Sequence, residues 1–137
     1  MQQILERLIV SDLSEASDPF FLSLHRVQSI LYFGEGGIFG EDTKLYHQSI
    51  PSIRGVNADE ILDGIEFLRE SLRFGRRVLA VGTNGATISA AYLTEMGFSS
   101  ASALQLFQNG NCPKPDRQAV FMHCAEIERR SKVTVHS

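Results

Sequence analysis

The segment Arg77-Val78-Leu79-Ala80-Val81-Gly82-Thr83-Asn84-Gly85-Ala86-Thr87-Ile88-Ser89 constrains the fold more than any other stretch. Val78 to Val81 is a short apolar run, the pattern of a central parallel strand covered on both faces. Gly82 and Gly85 permit backbone angles that other residues resist. Thr83 and Asn84 carry oxygens that accept hydrogen bonds from helix-start amides. The expectation is therefore a buried strand, a tight glycine-bounded loop, then a helix from about Ala86 to Met96. A loop of this kind presents N–H groups and the positive end of a helix dipole to an anion. The simpler alternative is an ordinary strand-to-helix turn without a ligand.

The remaining segments supply a sheet and helices around that strand. Leu5 to Val10 reads as a first strand, and Asp18-Pro19 opens a short helix through His25. Val27 to Phe33 is rich in β-formers, and Lys44 to Ile50 is a further strand closed by Pro51. Between them lies Gly34 to Asp42, a loop with four glycines and two apolar residues, Ile38 and Phe39. Ser52 to Val56 is a loop. Asn57 caps the next helix, with Glu60 in the reciprocal position. Ile61, Leu62, Ile65, Leu68 and Leu72 share one helical face. Gly75 ends that helix, and Arg73, Arg76 and Arg77 suit its carbonyl end. Ser99 or Ser100 caps a helix over 101–108. Asp116 to Arg130 forms the last helix, and 131–137 is an unassigned flexible tail. This order makes one α/β domain over 1–137. It is a three-layer sandwich whose central, mostly parallel sheet of four to five strands is flanked by helices.

Composition narrows the partners. Charged residues make up 21% of the 137 and the net charge is −3, so no global basic field draws the chain to nucleic acid. No apolar run approaches the roughly 20 residues that span a bilayer, and the first residues lack a secretion-signal layout. The two cysteines, Cys112 and Cys124, form neither a C-x-x-C pair nor a disulfide framework. A reduced, cytoplasmic setting without nucleic acid or membrane partners is expected.

Several short motifs resemble the small dual-specificity members of the cysteine-dependent protein tyrosine phosphatase family. Val27-Gln28-Ser29-Ile30-Leu31 is similar to the family's V-x-x-I-L strand. Tyr46 to Pro51 is similar to its Y-x-x-I-P strand end, with one extra residue. The helix around Ile65 to Leu68, followed by Gly75-Arg76-Arg77-Val78-Leu79, resembles the lead into G-R-V-L-V-H-C. Ala91-Tyr92-Leu93 is similar to the A-Y-L of the next helix, and Ser102 to Asn109 with Pro115 completes the likeness over about residues 5 to 130.

The resemblance implies a signature H-C-x-x-G-x-x-R-[S/T]. There a low-pKa thiolate attacks phosphorus, while loop amides and the arginine hold the oxygens. Aligned without a gap, the histidine position is Val81, the cysteine position Gly82, the loop glycine Gly85, the arginine Ile88 and the hydroxyl Ser89. Anchored from Ala91-Tyr92-Leu93, the loop is about four residues short and only Thr83-Asn84-Gly85 remains. Helix packing favours the second alignment, because a loop deletion costs less than a lost helical turn. Both leave Gly82, Thr83, Asn84, Gly85, Ala86 and Thr87 as a degenerate phosphate loop without thiol or guanidinium. The general-acid aspartate, a few residues after I-P in the family, has Arg54 as its nearest match. Asp59 better suits the first helical turn.

The expectation is a pseudophosphatase: no enzyme, no metal or cofactor, and a regulatory or scaffold role toward a protein partner, phosphoproteins included. The alternative is a phosphate-ester binder, or an enzyme of altered chemistry, at Gly82–Thr87. Cys112 and Cys124 read as structural thiols. Thr83 and Thr87 lack a neighbouring base and read as capping residues. His25, His47, His123 and His136 show no metal-ligand spacing, and His123 with Glu126 is an ordinary helical pair. Arg73, Arg76 and Arg77 read first as helix-end charges, and second as a basic patch.

Overall fold

The computed structural model describes residues 1–33, 46–50, 57–108 and 110–135; side chains are described except at 33, 46–50 and 131–135. The chain opens with two strands, β1 (Gln2–Leu5) and β2 (Leu8–Ser11). Two short helices follow, α1 (Leu13–Ala16) and α2 (Pro19–Leu24). Then come β3 (Ser29–Phe33), β4 (Tyr46–Ile50), α3 (Ala58–Arg73) and β5 (Val78–Val81). Three helices close the chain: α4 (Gly82–Glu95), α5 (Ser100–Gln105) and α6 (Arg117–Val135).

The sheet has the order β1-β2-β5-β3-β4. Only β1 runs antiparallel; β2, β5, β3 and β4 are mutually parallel. β5 is central, and its four residues are all buried. Its alternate side chains feed two cores. Val78 and Ala80 pack with Leu8, Val10, Leu31 and the inner faces of α3 to α6. Leu79 and Val81 pack with Ile9, Ile30, Tyr32 and the α1–α2 side, where Phe21 and Leu22 add cover. Period-two alternation on a doubly covered strand therefore builds the three layers.

Local signals set most boundaries. The Asn57–Glu60 capping box is formed, with Glu60 N donating to Asn57 Oδ1 at 2.8 Å and Asn57 N to Glu60 Oε1 at 3.0 Å. Its two donors are among those a helix start leaves unpaired. Asp18 accepts from Phe20 N at 2.9 Å and so starts α2 at Pro19. Ser99 caps α5 through Ser102 N.

Four boundaries differ from the sequence reading. The expected strand from Leu5 to Val10 is a hairpin, because Gln2–Leu5 doubles back as an edge strand with Ile4 in the core. The stretch from Ser11 to Asp18 contains α1, started by Asp12, which accepts from Glu15 N at 2.8 Å. α5 ends at Gln105, short of the expected 108. α6 continues to Val135, so the tail expected from residue 131 is helical for most of its length. Among the described residues, no helix is long and apolar enough to cross a membrane.

Candidate functional site

Parallel strands direct their carboxyl ends, and the helix N-termini that follow, to one edge of the sheet. At that edge β5 passes into α4 with no intervening loop. Gly82, Thr83, Asn84, Gly85, Ala86 and Thr87 are the opening turns of α4, not the expected glycine-bounded loop. Gly82 makes the reversal within one residue at φ +74°, a backbone region that side-chain-bearing residues avoid. Gly85 then lets the helix settle on the strand: a Cβ there would lie 2.8 Å from the carbonyl carbon of Ala80. Gly82 thus serves the chain reversal and Gly85 the close strand-to-helix approach.

The next turns of α4 are filled by packing. Ala86, Thr87, Ile88 and Ser89 are fully buried. Ile88 sits against Gly64 of α3, where a Cβ would meet the Ile88 Cγ2 at 2.8 Å. Thr87 is a structural hub. Its hydroxyl donates to the Thr83 carbonyl at 2.8 Å and accepts from Asp116 N at 2.8 Å. It thereby fixes the approach of α6, whose first turn is capped by Asp116 Oδ1 on Ala119 N at 3.3 Å. The Ser89 hydroxyl is buried with no hydrogen-bond partner. At the mouth, Thr83 is exposed and Gly82 and Asn84 are half-buried. Val81, in the capping position, supplies no side-chain hydrogen bond.

Cys112 comes to the carboxyl side of the sheet. It shares a concavity with Met1, Asp12 and Glu15, beside the end of β2. Its Sγ donates to the Pro113 carbonyl at 3.3 Å, and among the described residues no arginine lines this concavity. Burial pushes the thiol up from its ordinary range, against the smaller opposing pull of Lys114 and the N-terminal ammonium. A nucleophilic cysteine requires the opposite shift. Cys124 lies half-buried on α6.

The remaining candidates are occupied elsewhere. His123 is nearly buried and lies 3.3 Å from Glu95 Oε1. The two groups are close without a well-aligned hydrogen bond, since Nε2 has no hydrogen-bond partner among the described residues. Arg69 donates to Glu95 at 2.6 Å and to Glu66 at 2.7 Å, so one network ties α3, α4 and α6. Glu126 accepts from Arg129 at 2.6 Å, and this guanidinium holds its carboxyl below the usual range. Among the described residues, no group of three or more His, Cys, Asp or Glu converges as a metal site. His25 stacks at a tilt on Phe21, with ring centroids 4.5 Å apart. The side chain of His47 and residues His136, Arg54, Ile38 and Phe39 lie outside what the structure describes.

This architecture is that of the dual-specificity phosphatases. The chain superposes on human DUSP28 with a TM-score of 0.77 at 14% identity, covering 98% of this chain and 99% of that one. Human tyrosine phosphatase-like serine/threonine/tyrosine-interacting protein gives 0.76 at 21% identity, covering 96% and 97%. A leucine-rich-repeat and phosphatase-domain protein from Entamoeba histolytica gives 0.73 at 18% identity, covering 94% and 93%. No protein-family model matches the chain, and no curated protein matches it by sequence. The fold is thus dual-specificity-phosphatase-like.

Proposed function

We propose that this chain is a pseudophosphatase: a non-catalytic phosphatase-like protein that acts as a protein-binding, regulatory or scaffold module. The observation that carries the reading is the direct passage of β5 into α4. Where the resembled family has a cradle with a thiolate and an arginine, this segment has Gly82, which reverses the chain at φ +74°, and Gly85 and Ile88, which are engaged in close packing. Phosphoryl transfer by this route needs a nucleophile and a clamp for the equatorial oxygens. Gly82–Thr87 supplies neither. The sequence also offers Arg54 where the family has its acid. One neighbour's name, a phosphatase-like interacting protein, accords with a binding role. The partner is a protein, with phosphoproteins as the class to test first, and the setting is cytoplasmic.

Two assays test this. Purified protein incubated with an aryl phosphate is expected to release no phosphate above background. A pull-down from lysate is expected to lose its partner after the lysate is dephosphorylated; an unchanged signal would remove the phospho-recognition component.

A second reading has one observation in its favour. Val81 gives the start of α4 no side-chain cap, and Gly82 and Thr83 reach solvent. Free helix-start amides bind anions, so a phosphate ester would find a weak site at Gly82–Thr87. Amide shifts confined to these residues during a phosphate titration would support it. Turnover lost on changing Thr83 would support an enzyme of altered chemistry instead.

A further inference from the structure

The opposite edge of the sheet carries charge that no acidic side chain among the described residues neutralises. Register places it there. Val78 of β5 is paired with Leu8 on one side and Ser29 on the other. The preceding residues, Arg7, Arg77 and Gln28, therefore lie side by side at the amino ends of three adjacent strands. Main-chain bonds lock this row: Val78 N donates to Arg7 O at 2.7 Å, and Gln28 N to Arg77 O at 2.8 Å. The Gln28 side chain accepts from Arg77 N at 3.1 Å. Arg26, two residues before Gln28, adds a third cation from the end of α2.

Together with Leu22 and Ser23, these residues line a concavity of about 640 Å³, and among the described residues no acidic one lines it. Among the described residues, no carboxylate pairs with Arg7, Arg26 or Arg77. The Arg7 guanidinium lies by Gly75, at the carbonyl end of α3, so part of its charge serves that dipole. Among the described residues, Arg26 and Arg77 have no such charge partner. Like charges on neighbouring strands repel, and a bound anion relieves that repulsion. Guanidinium groups bind phosphate oxygens in bidentate fashion and resist loss of charge.

We propose that this amino-edge concavity, built by Arg7, Arg26 and Arg77, is a binding site for an anion bearing clustered phosphate groups. Three separately anchored guanidinium groups around one open space suit several phosphates better than one. The same chemistry occurs in a soluble polyphosphate and in a phosphoinositide headgroup. The site lies on the far side of the sheet from Gly82–Thr87 and does not depend on the reading of that segment.

The backbone supplies a clean variant. Arg26 holds φ +53°, a left-handed conformation that costs a non-glycine residue strain. Arg26→Gly therefore removes the cation while relieving the backbone, and should leave the melting temperature nearly unchanged. Tripolyphosphate titrated into the full chain, followed by amide NMR shifts, is expected to move Arg26 to Ser29 and Gly75 to Val78. Binding should fall about tenfold in Arg26→Gly and in Arg77→Gln, and should weaken with added salt. A parallel arm uses phosphatidylcholine vesicles with and without phosphatidylinositol bisphosphate. Vesicle binding abolished by the same variants identifies a lipid headgroup as the source; tripolyphosphate binding alone identifies a soluble anion. Shifts confined to Gly82–Thr87, binding undiminished in both variants, or no saturable binding in either arm would overturn the proposal.

Discussion

The two ends of strand β5 use the same ingredients to opposite effect. At the carboxyl end, Gly82 reverses the chain, Gly85 brings helix and strand into contact, and Ala86, Thr87 and Ile88 are buried against the core. At the amino end, Gly75 ends α3, and three arginines stand around an open concavity. One end is closed by packing and carries no formal charge from residue 82 to 89; the other is open and carries guanidinium charge that pairs with no carboxylate among the described residues. The lesson is that a family's expected site and a chain's available site need not coincide. Packing density and uncompensated charge locate the latter without reference to a motif.

The contrast makes graded predictions. The largest effect should come from filling the closed end. Gly85→Leu forces side-chain atoms into the Ala80 backbone and should cost on the order of 3 kcal/mol, or prevent folding, by urea denaturation. A near-neutral result would mean that α4 is free to lift from the strand, and that a loop can open there. Next is Thr87→Val, which keeps the shape but removes both hydroxyl bonds. It leaves Asp116 N without its partner and should cost about 1–2 kcal/mol. The Cys112 thiol should give a smaller, pH-dependent effect. Folding raises its pKa, so the folded state holds the proton more tightly. Stability should therefore be intact below the ordinary thiol range and decline as pH rises through it, because the unfolded chain ionises first. Iodoacetamide should label Cys124 well before Cys112 at neutral pH. The smallest effect belongs to the open end: Arg77→Gln should barely move the denaturation midpoint, since its side chain makes no ion pair with any described residue. A large loss there would show that the arginine row is structural.

Much of the frame was legible in the sequence because it is encoded locally. The Asn57–Glu60 box, the Asp18-Pro19 start and the apolar run of β5 each state their structure within a few residues. Two kinds of feature were not. Gly82-Thr83-Asn84-Gly85 is a turn signal by composition, and Thr83 and Asn84 are natural capping residues. Only the tertiary fit of Gly85 onto Ala80 makes the segment helical. Likewise Gln2 and Gln3 hide an edge strand, whose outer face needs no apolar residues. The arginine row was illegible for a different reason. Arg7, Arg26 and Arg77 are far apart in the chain, and only the parallel register of β2, β5 and β3 aligns them. The sequence grouped Arg77 with Arg73 and Arg76. In the fold those two lie over the Phe74 ring, at 6.0 and 5.1 Å from its centroid. The Cys112 placement at the carboxyl side was also a long-range outcome, set by the segment between α5 and α6.

Cys112 is the residue on which the central claim can fail. It is a thiol on the side of the sheet where phosphatase chemistry occurs in the resembled fold. The most direct measurement is steady-state hydrolysis of para-nitrophenyl phosphate by the full chain, beside Cys112→Ser and Cys124→Ser, across pH 5 to 9. Background rates are expected for all three proteins at every pH. Turnover by the parent chain that Cys112→Ser abolishes while the variant remains folded would contradict it.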